Sequence, residues 1–213
     1  MNNEKIKLDS RIKNLDWIAL IHEFNPWQIA ENYPYSKAMH IAGYLMLKSS
    51  EIDDGLEIDL LQNFAVDLMI LLRKAHLNEW SEDWKNEAYL GILCGIIQRS
   101  SEAFIFCKSA FEKHPSPPQS LILAYIYSGR SFEHYMSEKE MNKLSEIAIQ
   151  KGVTYESASQ MSSLEKMNGN ETKSQFWENE ALKCQKDHKY TPHIVPDLLK
   201  HLLKSSEGHS LEV

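Results

Sequence analysis

The sequence predicts an all-α fold, and three observations support this. Apolar residues recur at helical spacing along most of the 213 residues. Glycine and proline are sparse, with 8 and 7 residues, and they fall mostly where helices could end. No segment shows a convincing alternation of apolar and polar residues of the kind that marks a strand. We therefore expect helices joined by short turns.

The first part of the chain predicts four helices, over residues 8–24, 27–32, 36–48 and 60–75. In the first, Ile12, Leu15, Ile18 and Ile21 recur every three residues, and Asn25-Pro26 ends it. Tyr33-Pro34 ends the second, because a residue before proline resists helical geometry. An acidic stretch over 51–59 precedes the fourth helix, and we expect it to form a loop or a helix entry.

The rest of the chain predicts seven helices, over 82–99, 101–113, 119–128, 132–150, 155–167, 171–186 and 196–204. Ser81 is expected to be an N-cap, and Glu82 and Asp83 suit the positive end of a helix dipole. Gly129 and Gly152 end helices in this part. We expect the last residues to fray. These elements suggest N-terminal helices over 1–80, helical hairpins over 81–187 and a C-terminal helix with its tail over 188–213, as one continuous domain.

Composition and charge narrow the functional classes. The 43% hydrophobic and 25% charged residues are typical of a globular protein. The net charge of −7 disfavours nucleic acid as a partner and mildly favours a basic one. Three cysteines without paired spacing predict reduced thiols, which indicates a cytoplasmic location. The N-terminus does not look like a signal peptide, and no apolar stretch is long enough to span a membrane.

A short pattern between Trp84 and Pro115 is typical of a helical repeat. Leu90-Gly91 is followed by Ala103 twelve residues after the glycine, by Ala110 seven later and by Pro115 five later. These spacings resemble the signature of the tetratricopeptide (TPR) family, whose period is about 34 residues. Small residues let antiparallel helices approach closely, and the proline ends the second helix.

The large residues of this segment depart from the family pattern. Glu87 stands where the family prefers tryptophan, Cys94 where it prefers tyrosine, and Cys107 replaces a larger aromatic residue. Residues 118–149 and 155–186 resemble further repeats, and 36–77 resembles a divergent one. The resemblance implies antiparallel helical hairpins stacked as a TPR-like right-handed superhelix with extra N- and C-terminal helices. The alternative is a helical bundle without repeats.

A superhelix of this family has a concave surface lined by the first helix of each hairpin. The resemblance places eight residues there: Lys85, Ala88, Ile92, Ile96, Gln119, Ile122, Ile126 and Arg130. Isoleucines facing water would form an apolar patch, and such patches usually mark contact sites. Two hypotheses follow. A partner peptide or protein fills the groove, or a terminal helix does, either the N-terminal one with Trp17 or the C-terminal one with Leu198, Leu199 and Leu202.

Motifs for catalysis or metal binding are absent from the sequence, which has no His-Glu-x-x-His, no phosphate loop and no Cys-x-x-Cys. Cys184, His188 and His193 are close in sequence, but Tyr190–Pro192 interrupts a shared helical face. His134 and Glu138 are more typical of an ion pair than of a ligand pair. We expect no cofactor and no metal.

The acidic stretch contains Glu51, Asp53, Asp54, Glu57 and Asp59, and it lacks the ligand spacing of an EF-hand loop. It is either a solvated loop or an attractive surface for a basic partner. Size and charge fit a protein-binding repeat module, such as a small acidic inhibitor of the bacterial immunity or antitoxin type. The alternatives are an enzyme with scattered His, Glu and Tyr residues, and a self-associating structural unit such as a homodimer.

Overall fold

A computed structural model describes residues 3–130 and 136–204, and this part of the chain is helical and has no β-strand. The all-α prediction is therefore confirmed. The helices are α1 (Asn3–Lys13), α2 (Trp17–Glu23), α3 (Pro26–Asn32), α4 (Tyr35–Ser49), α5 (Gly55–Ala75), α6 (Leu77–Ser81), α7 (Trp84–Ile96), α8 (Ser100–Lys113), α9 (Gln119–Gly129), α10 (Glu138–Gln150), α11 (Tyr155–Met167), α12 (Glu171–Lys186) and α13 (Val195–Lys204). The predicted stretch 132–135, with His134, lies outside the described residues.

The predicted single helix over 8–24 is wrong, because the chain breaks at Leu15. This residue has φ +55°, a left-handed conformation that interrupts a helix. The carboxylate of Asp16 then accepts a hydrogen bond from the backbone N–H of Ala19 at 3.3 Å and caps α2. Arg11 bridges the break by pairing with Asp16 at 2.8 Å and with Glu23 at 2.7 Å. The Glu23 pairing is the main cause that raises the pKa of the guanidinium.

Two further helix starts differ from the prediction, and an aspartate explains each. Asp54 accepts hydrogen bonds from the backbone N–H groups of Leu56 and Glu57 at 2.9 and 3.1 Å, so α5 starts within the acidic stretch. Asp83 caps α7 through Lys85 N–H at 2.9 Å. Ser81 is therefore not an N-cap. It is the last residue of α6, and its hydroxyl donates to the Leu77 carbonyl at 2.6 Å.

The helices form two compact units. The first contains residues 3–98 with 195–204, and the second contains 99–194 apart from 131–135, which are not described. In the first unit, α5 packs against α2, α3, α4, α6 and α7, while α13 packs against α4 and α7. In the second, α8 packs on α9, α9 on α10, α10 on α11, and α11 on α12. Both α7 and α13 thus belong with the N-terminal helices, which the predicted division over 1–80, 81–187 and 188–213 does not anticipate.

A buried ion pair lies in the first unit. Glu87 is 0% exposed, and its two carboxylate oxygens accept from the Arg73 Nε–H, with the shorter contact at 3.1 Å. Beside it, the buried Asn86 amide donates to the Trp80 carbonyl at 3.1 Å. These interactions place polar groups between α5, α6 and α7. The side chains of Glu87 and Asn86 each have a hydrogen-bond partner there.

A polar cluster around Gln119 joins three helices of the second unit. The Gln119 amide nitrogen donates to the carbonyls of Ala148 and Gly152 at 2.8 and 2.6 Å. Its oxygen accepts from the hydroxyls of Thr154 and Thr191 at 3.4 and 3.2 Å. The start of α9 is thereby tied to the end of α10 and the N-cap of α11.

Replacing this glutamine tests how much the cluster stabilises the fold. Gln119→Leu should lower the free energy of unfolding by about 1–3 kcal/mol, because two carbonyls and two hydroxyls each lose one hydrogen-bond partner. Urea denaturation measures the change. Gln150→Leu, at an exposed position of α10, is the control and should stay within about 0.5 kcal/mol of wild type. Equal effects of the two substitutions would contradict a structural role for the cluster.

Gly129, at the end of α9, has no room for a side chain. An added Cβ would lie 2.8 Å from the Met136 Cβ and 3.3 Å from Phe104. We expect Gly129→Ala to destabilise the protein by about 1–3 kcal/mol through overpacking. The matched control is Gly55→Ala in the first turn of α5, where an added Cβ meets nothing within 4 Å. Thermal melts should show a lower melting temperature for the first variant only, and no difference between them would refute the packing explanation.

Candidate functional site

The residues predicted to line a concave wall belong to different units. Lys85, Ala88, Ile92 and Ile96 lie on α7 in the first unit, and Gln119, Ile122, Ile126 and Arg130 lie on or directly after α9 in the second.

The α9 set does not form an open binding surface, which corrects the prediction. Ile122 and Ile126 are 0% exposed, because α9 packs between α8 and α10 and is apolar on several faces. Gln119 is buried in its polar cluster. The guanidinium of Arg130 donates to the Gln160 oxygen at 2.7 Å. These side chains stabilise the second unit and are occupied within it.

The α7 set is mixed. Ala88 is fully buried, Ile92 and Lys85 are half-buried, and Lys85 lies 4.0 Å from the Asp83 carboxylate. Ile96 is 53% exposed. The C-terminal helix α13 packs on α7 and buries Leu198, whereas the side chain of Leu202 lies outside the described residues. The ring of Trp17 instead stacks on the ring of Tyr44, with 5.7 Å between the ring centroids. Of the two terminal helices proposed to fold back, α13 is therefore the one that covers part of α7.

The acidic stretch divides into structural and solvent-facing carboxylates. Asp54 is the N-cap of α5, and Glu51 forms an ion pair with Lys48 at 3.3 Å. The carboxylates of Asp53, Glu57 and Asp59 make no hydrogen bond or ion pair with the described residues. Among the residues that the structure describes, these three negative charges therefore have no cation paired with them.

Two exposed leucines lie among these carboxylates. Leu56 is 70% exposed and Leu60 is 39% exposed, one helical turn apart. Leu56, Glu57 and Leu60 follow the spacing of one helix face, Asp59 adjoins it, and Asp53 lies two residues before the helix begins. We call these five residues the acidic-leucine face. The predicted helix start at Leu60 left Leu56 outside the helix, so the two exposed leucines were not predicted to share one surface. Asp54, a typical N-cap residue that precedes Gly55 and a short acidic run, was the sequence signal that could have located the true start of this helix.

The register of α4 against α5 explains why this face is exposed. At one end, Tyr35 and His76 place their rings 5.5 Å apart. At the other, the Gln62 amide lies 3.5 Å from the Ser49 hydroxyl at the end of α4. The 21 residues of α5 exceed the 15 of α4, so residues 55–60 extend past the last residue of α4. Six residues at 1.5 Å each correspond to about 9 Å of helix.

Net charge is distributed unevenly along the chain. Residues 1–98 contain 15 acidic and 9 basic side chains, a net charge of −6, whereas residues 99–194 contain 12 of each. The acidic-leucine face therefore lies in the part of the chain that carries most of the negative charge. The negative electrostatic potential of this region would attract cationic partners over a distance of about one Debye length.

A groove in the second unit bears on the enzyme alternative. A cavity of about 470 Å³ between α11 and α12 is lined by serines, glutamines, two glutamates, a lysine, Tyr155 and two apolar residues, and no described histidine lines it. The Ser162 and Ser174 hydroxyls each donate to the other residue's carbonyl, at 3.0 and 3.1 Å. These hydrogen bonds use both hydroxyl hydrogens to pack α11 against α12.

Metal and thiol chemistry gain no support from the geometry. Within the part of the chain that the structure describes, no three His, Cys, Asp or Glu side chains converge as a metal site, and this includes Cys184, His188 and His193. All three cysteines are free and buried, and burial raises the pKa of the Cys107 thiol to about 12. Among the described helices, none is both long enough and apolar enough to cross a bilayer.

Comparison with protein-family models, with curated proteins and with solved structures finds no match to this chain.

Two isoleucines of the predicted wall can be separated by experiment. Ile126→Glu places a carboxylate in the core of the second unit, and we expect it to destabilise the protein by more than about 4 kcal/mol. Ile96→Glu is the matched control, since Ile96 is already half in solvent, and it should change stability by less than about 1 kcal/mol. Far-ultraviolet circular dichroism with urea titration measures both. A folded Ile126→Glu variant of wild-type stability would show that this residue faces solvent.

Proposed function

We propose that this chain is a protein-binding helical module whose acidic-leucine face receives a basic partner, in the manner of a small acidic inhibitor of the immunity or antitoxin type. One observation carries the proposal: Leu56 and Leu60 are exposed beside three carboxylates that form no ion pair with residues 3–130 and 136–204. The extension of α5 beyond α4 leaves both leucines in solvent, and a patch that combines apolar and charged side chains suits a protein interface.

The two components of the face would contribute differently to binding. Covering each leucine removes apolar surface from water and favours binding by about 1–2 kcal/mol. The carboxylates raise the association rate and select cationic partners rather than adding much affinity. We therefore expect the complex to form more slowly at high salt, with a smaller change in its dissociation rate.

The TPR-like arrangement is a second part of the proposal. The helices α7, α9 and α11 begin 35 and 36 residues apart, close to the period of the family. In the second unit each helix packs on the next, as in stacked repeats. Ala103 and Ala110 are buried, as close helix packing requires. One feature departs from the pattern, since the boundary between the units falls after Gln98, within the segment that carries the resemblance.

Charge reversal on the face tests the binding proposal. We expect a variant with Asp53→Lys, Glu57→Lys and Asp59→Lys to lose a basic protein that wild type captures from extracts of its source cells. The amount of captured partner should fall at least about tenfold, because the face would then repel a basic protein and no longer position it over the two leucines. Quantitative mass spectrometry of the captured proteins measures it. The captured protein, once purified, should bind wild type with an association rate that falls between about 50 and about 500 mM salt.

A charge-matched variant distinguishes this site from overall charge. Glu112→Lys, Glu146→Lys and Glu178→Lys make the same change in net charge at exposed positions of the second unit. This control should keep the partner, and both triple variants should melt within a few degrees of wild type. Equal losses of the partner in the two variants would show that net charge, and not this particular face, determines binding. Recovery of only the chain itself would instead favour self-association.

A further inference from the structure

The turn between α11 and α12 contains an asparagine that is followed directly by a glycine. The chain has one such pair, Asn168-Gly169, and one Asp-Gly pair, Asp54-Gly55. Each pair places a side-chain carbonyl carbon near the backbone nitrogen of a residue that has no side chain. That nitrogen can attack the carbonyl carbon and close a five-membered succinimide ring, because glycine leaves the approach unhindered. The two pairs differ in how the fold holds them.

The side chain of Asp54 is held in place by the helix that it caps. Its carboxylate accepts hydrogen bonds from the backbone N–H groups of Leu56 and Glu57 at 2.9 and 3.1 Å. Ring closure at this pair would break both hydrogen bonds and the first turn of α5. An ionised carboxylate is also a poorer electrophile than an amide. The fold therefore protects Asp54-Gly55.

The side chain of Asn168 has none of these restraints. Asn168 and Gly169 are both exposed, and the Asn168 amide makes no hydrogen bond with any residue that the structure describes. A Cβ added to Gly169 would meet nothing within 4 Å, so there is room for a ring. Asn170 is a contrasting case two residues later. Its amide donates to the Glu165 Oε2 at 2.8 Å, and the bulkier Glu171 follows it.

One backbone hydrogen bond opposes ring closure at Asn168. The Gly169 N–H donates to the Lys166 carbonyl at 3.1 Å, and Asn168, with ψ 3°, must rotate before its side chain faces that nitrogen. Both changes take place at the end of α11, and helix ends open locally at little cost. The loss of one such hydrogen bond corresponds to a reaction that is at most about tenfold slower.

We propose that Asn168 is a site of spontaneous deamidation, with water as the co-reactant and ammonia as the product. The Gly169 nitrogen gives its proton to a base in the solvent and forms a bond to the Asn168 Cγ. The Cγ–Nδ2 bond breaks, and this nitrogen takes a proton from water and leaves as ammonia. Water then opens the succinimide at either of its carbonyls, which leaves aspartate or isoaspartate at this position. One water is consumed, one ammonia is released, and nothing is oxidised or reduced.

The modification alters the turn that joins two packed helices. Isoaspartate carries the main chain through its Cβ and Cγ, so it adds one methylene group between α11 and α12. The new carboxylate lies at the C-terminal end of α11, where the helix dipole disfavours a negative charge. The same turn holds the Asn170 N–H on the Glu165 carbonyl at 2.8 Å. We expect the modified chain to melt a few degrees below the unmodified chain.

Peptide mapping of the full chain tests the site after incubation in neutral and mildly alkaline buffer. Tandem mass spectrometry should locate a gain of about one dalton at Asn168, at a rate that increases with pH. This rate should exceed the rates at Asn170 and at Asn179, which is exposed within α12, at least about tenfold. Enzymatic methylation of isoaspartate should label the peptide that contains residue 168 and leave the peptide with Asp54 unlabelled.

Gly169→Asn is the matched variant, because asparagine tolerates φ +73° while its side chain hinders ring closure. It should keep the helical circular dichroism of wild type and deamidate at Asn168 at least about tenfold more slowly. A synthetic peptide with the sequence of residues 165–172 gives the unrestrained rate, and Asn168 in the chain should react within about tenfold of it. A lower rate in the chain, or a rate no faster than at Asn170 and Asn179, would overturn the proposal. If Gly169→Asn does not fold, the comparison with the peptide decides.

Discussion

The first unit depends on the burial of one long helix. Five other helices pack around α5, and its apolar residues from Leu61 to Leu72 supply much of the core. A helix surrounded in this way must be apolar on most faces, and the most apolar stretch of the chain meets this requirement. Its length is the second constraint. Because α5 is six residues longer than α4, with the two aligned at Tyr35 and His76, its first turns extend beyond the core. The acidic-leucine face is the direct consequence.

Buried polar groups give both units their particular arrangement. In the first unit the carboxylate of Glu87 is fully buried and forms an ion pair with Arg73, whose side chain is 30% exposed. Removing Arg73 would take this cation away from a buried carboxylate, which costs more than the pair itself contributes. In the second unit Gln119 binds two carbonyls and two hydroxyls at once. Both sites tie helices together by geometry that apolar packing alone would not specify.

Two apolar surfaces of the first unit differ in accessibility. The leucines of the acidic-leucine face are open to solvent, and in the proposed function its charges would guide the first encounter with a cationic partner. The C-terminal helix α13 instead covers part of α4 and α7 and buries Leu198 there, so that surface is satisfied within the unit.

Local signals in the sequence predicted much of the helical structure. The hairpin of α11 and α12 agrees with the predicted bounds, because Asn168-Gly169-Asn170 supplies a turn in which Gly169 adopts φ +73°. The break at Leu15 was missed because periodicity continues through it, and the Asp16 cap that stabilises it depends on one side chain. Stretches 27–32, 36–48 and 101–113 were predicted to within a residue or two.

By itself, then, the sequence determined the all-α class, most helix bounds and the negative charge, because periodicity, capping and turn residues act over a few positions. Only the tertiary structure decided which apolar residues are accessible. Ile122 and Ile126 are buried because α8 and α10 flank α9. Leu56 is exposed because the first turn of α5 extends beyond the last residue of α4, so no side chain of α4 covers it. Exposure depends on which helices meet and in what register, and these contacts join residues far apart in sequence. The sequence therefore showed the candidate site only as an acidic stretch. The tertiary structure was needed to show that these residues form an exposed surface with two leucines.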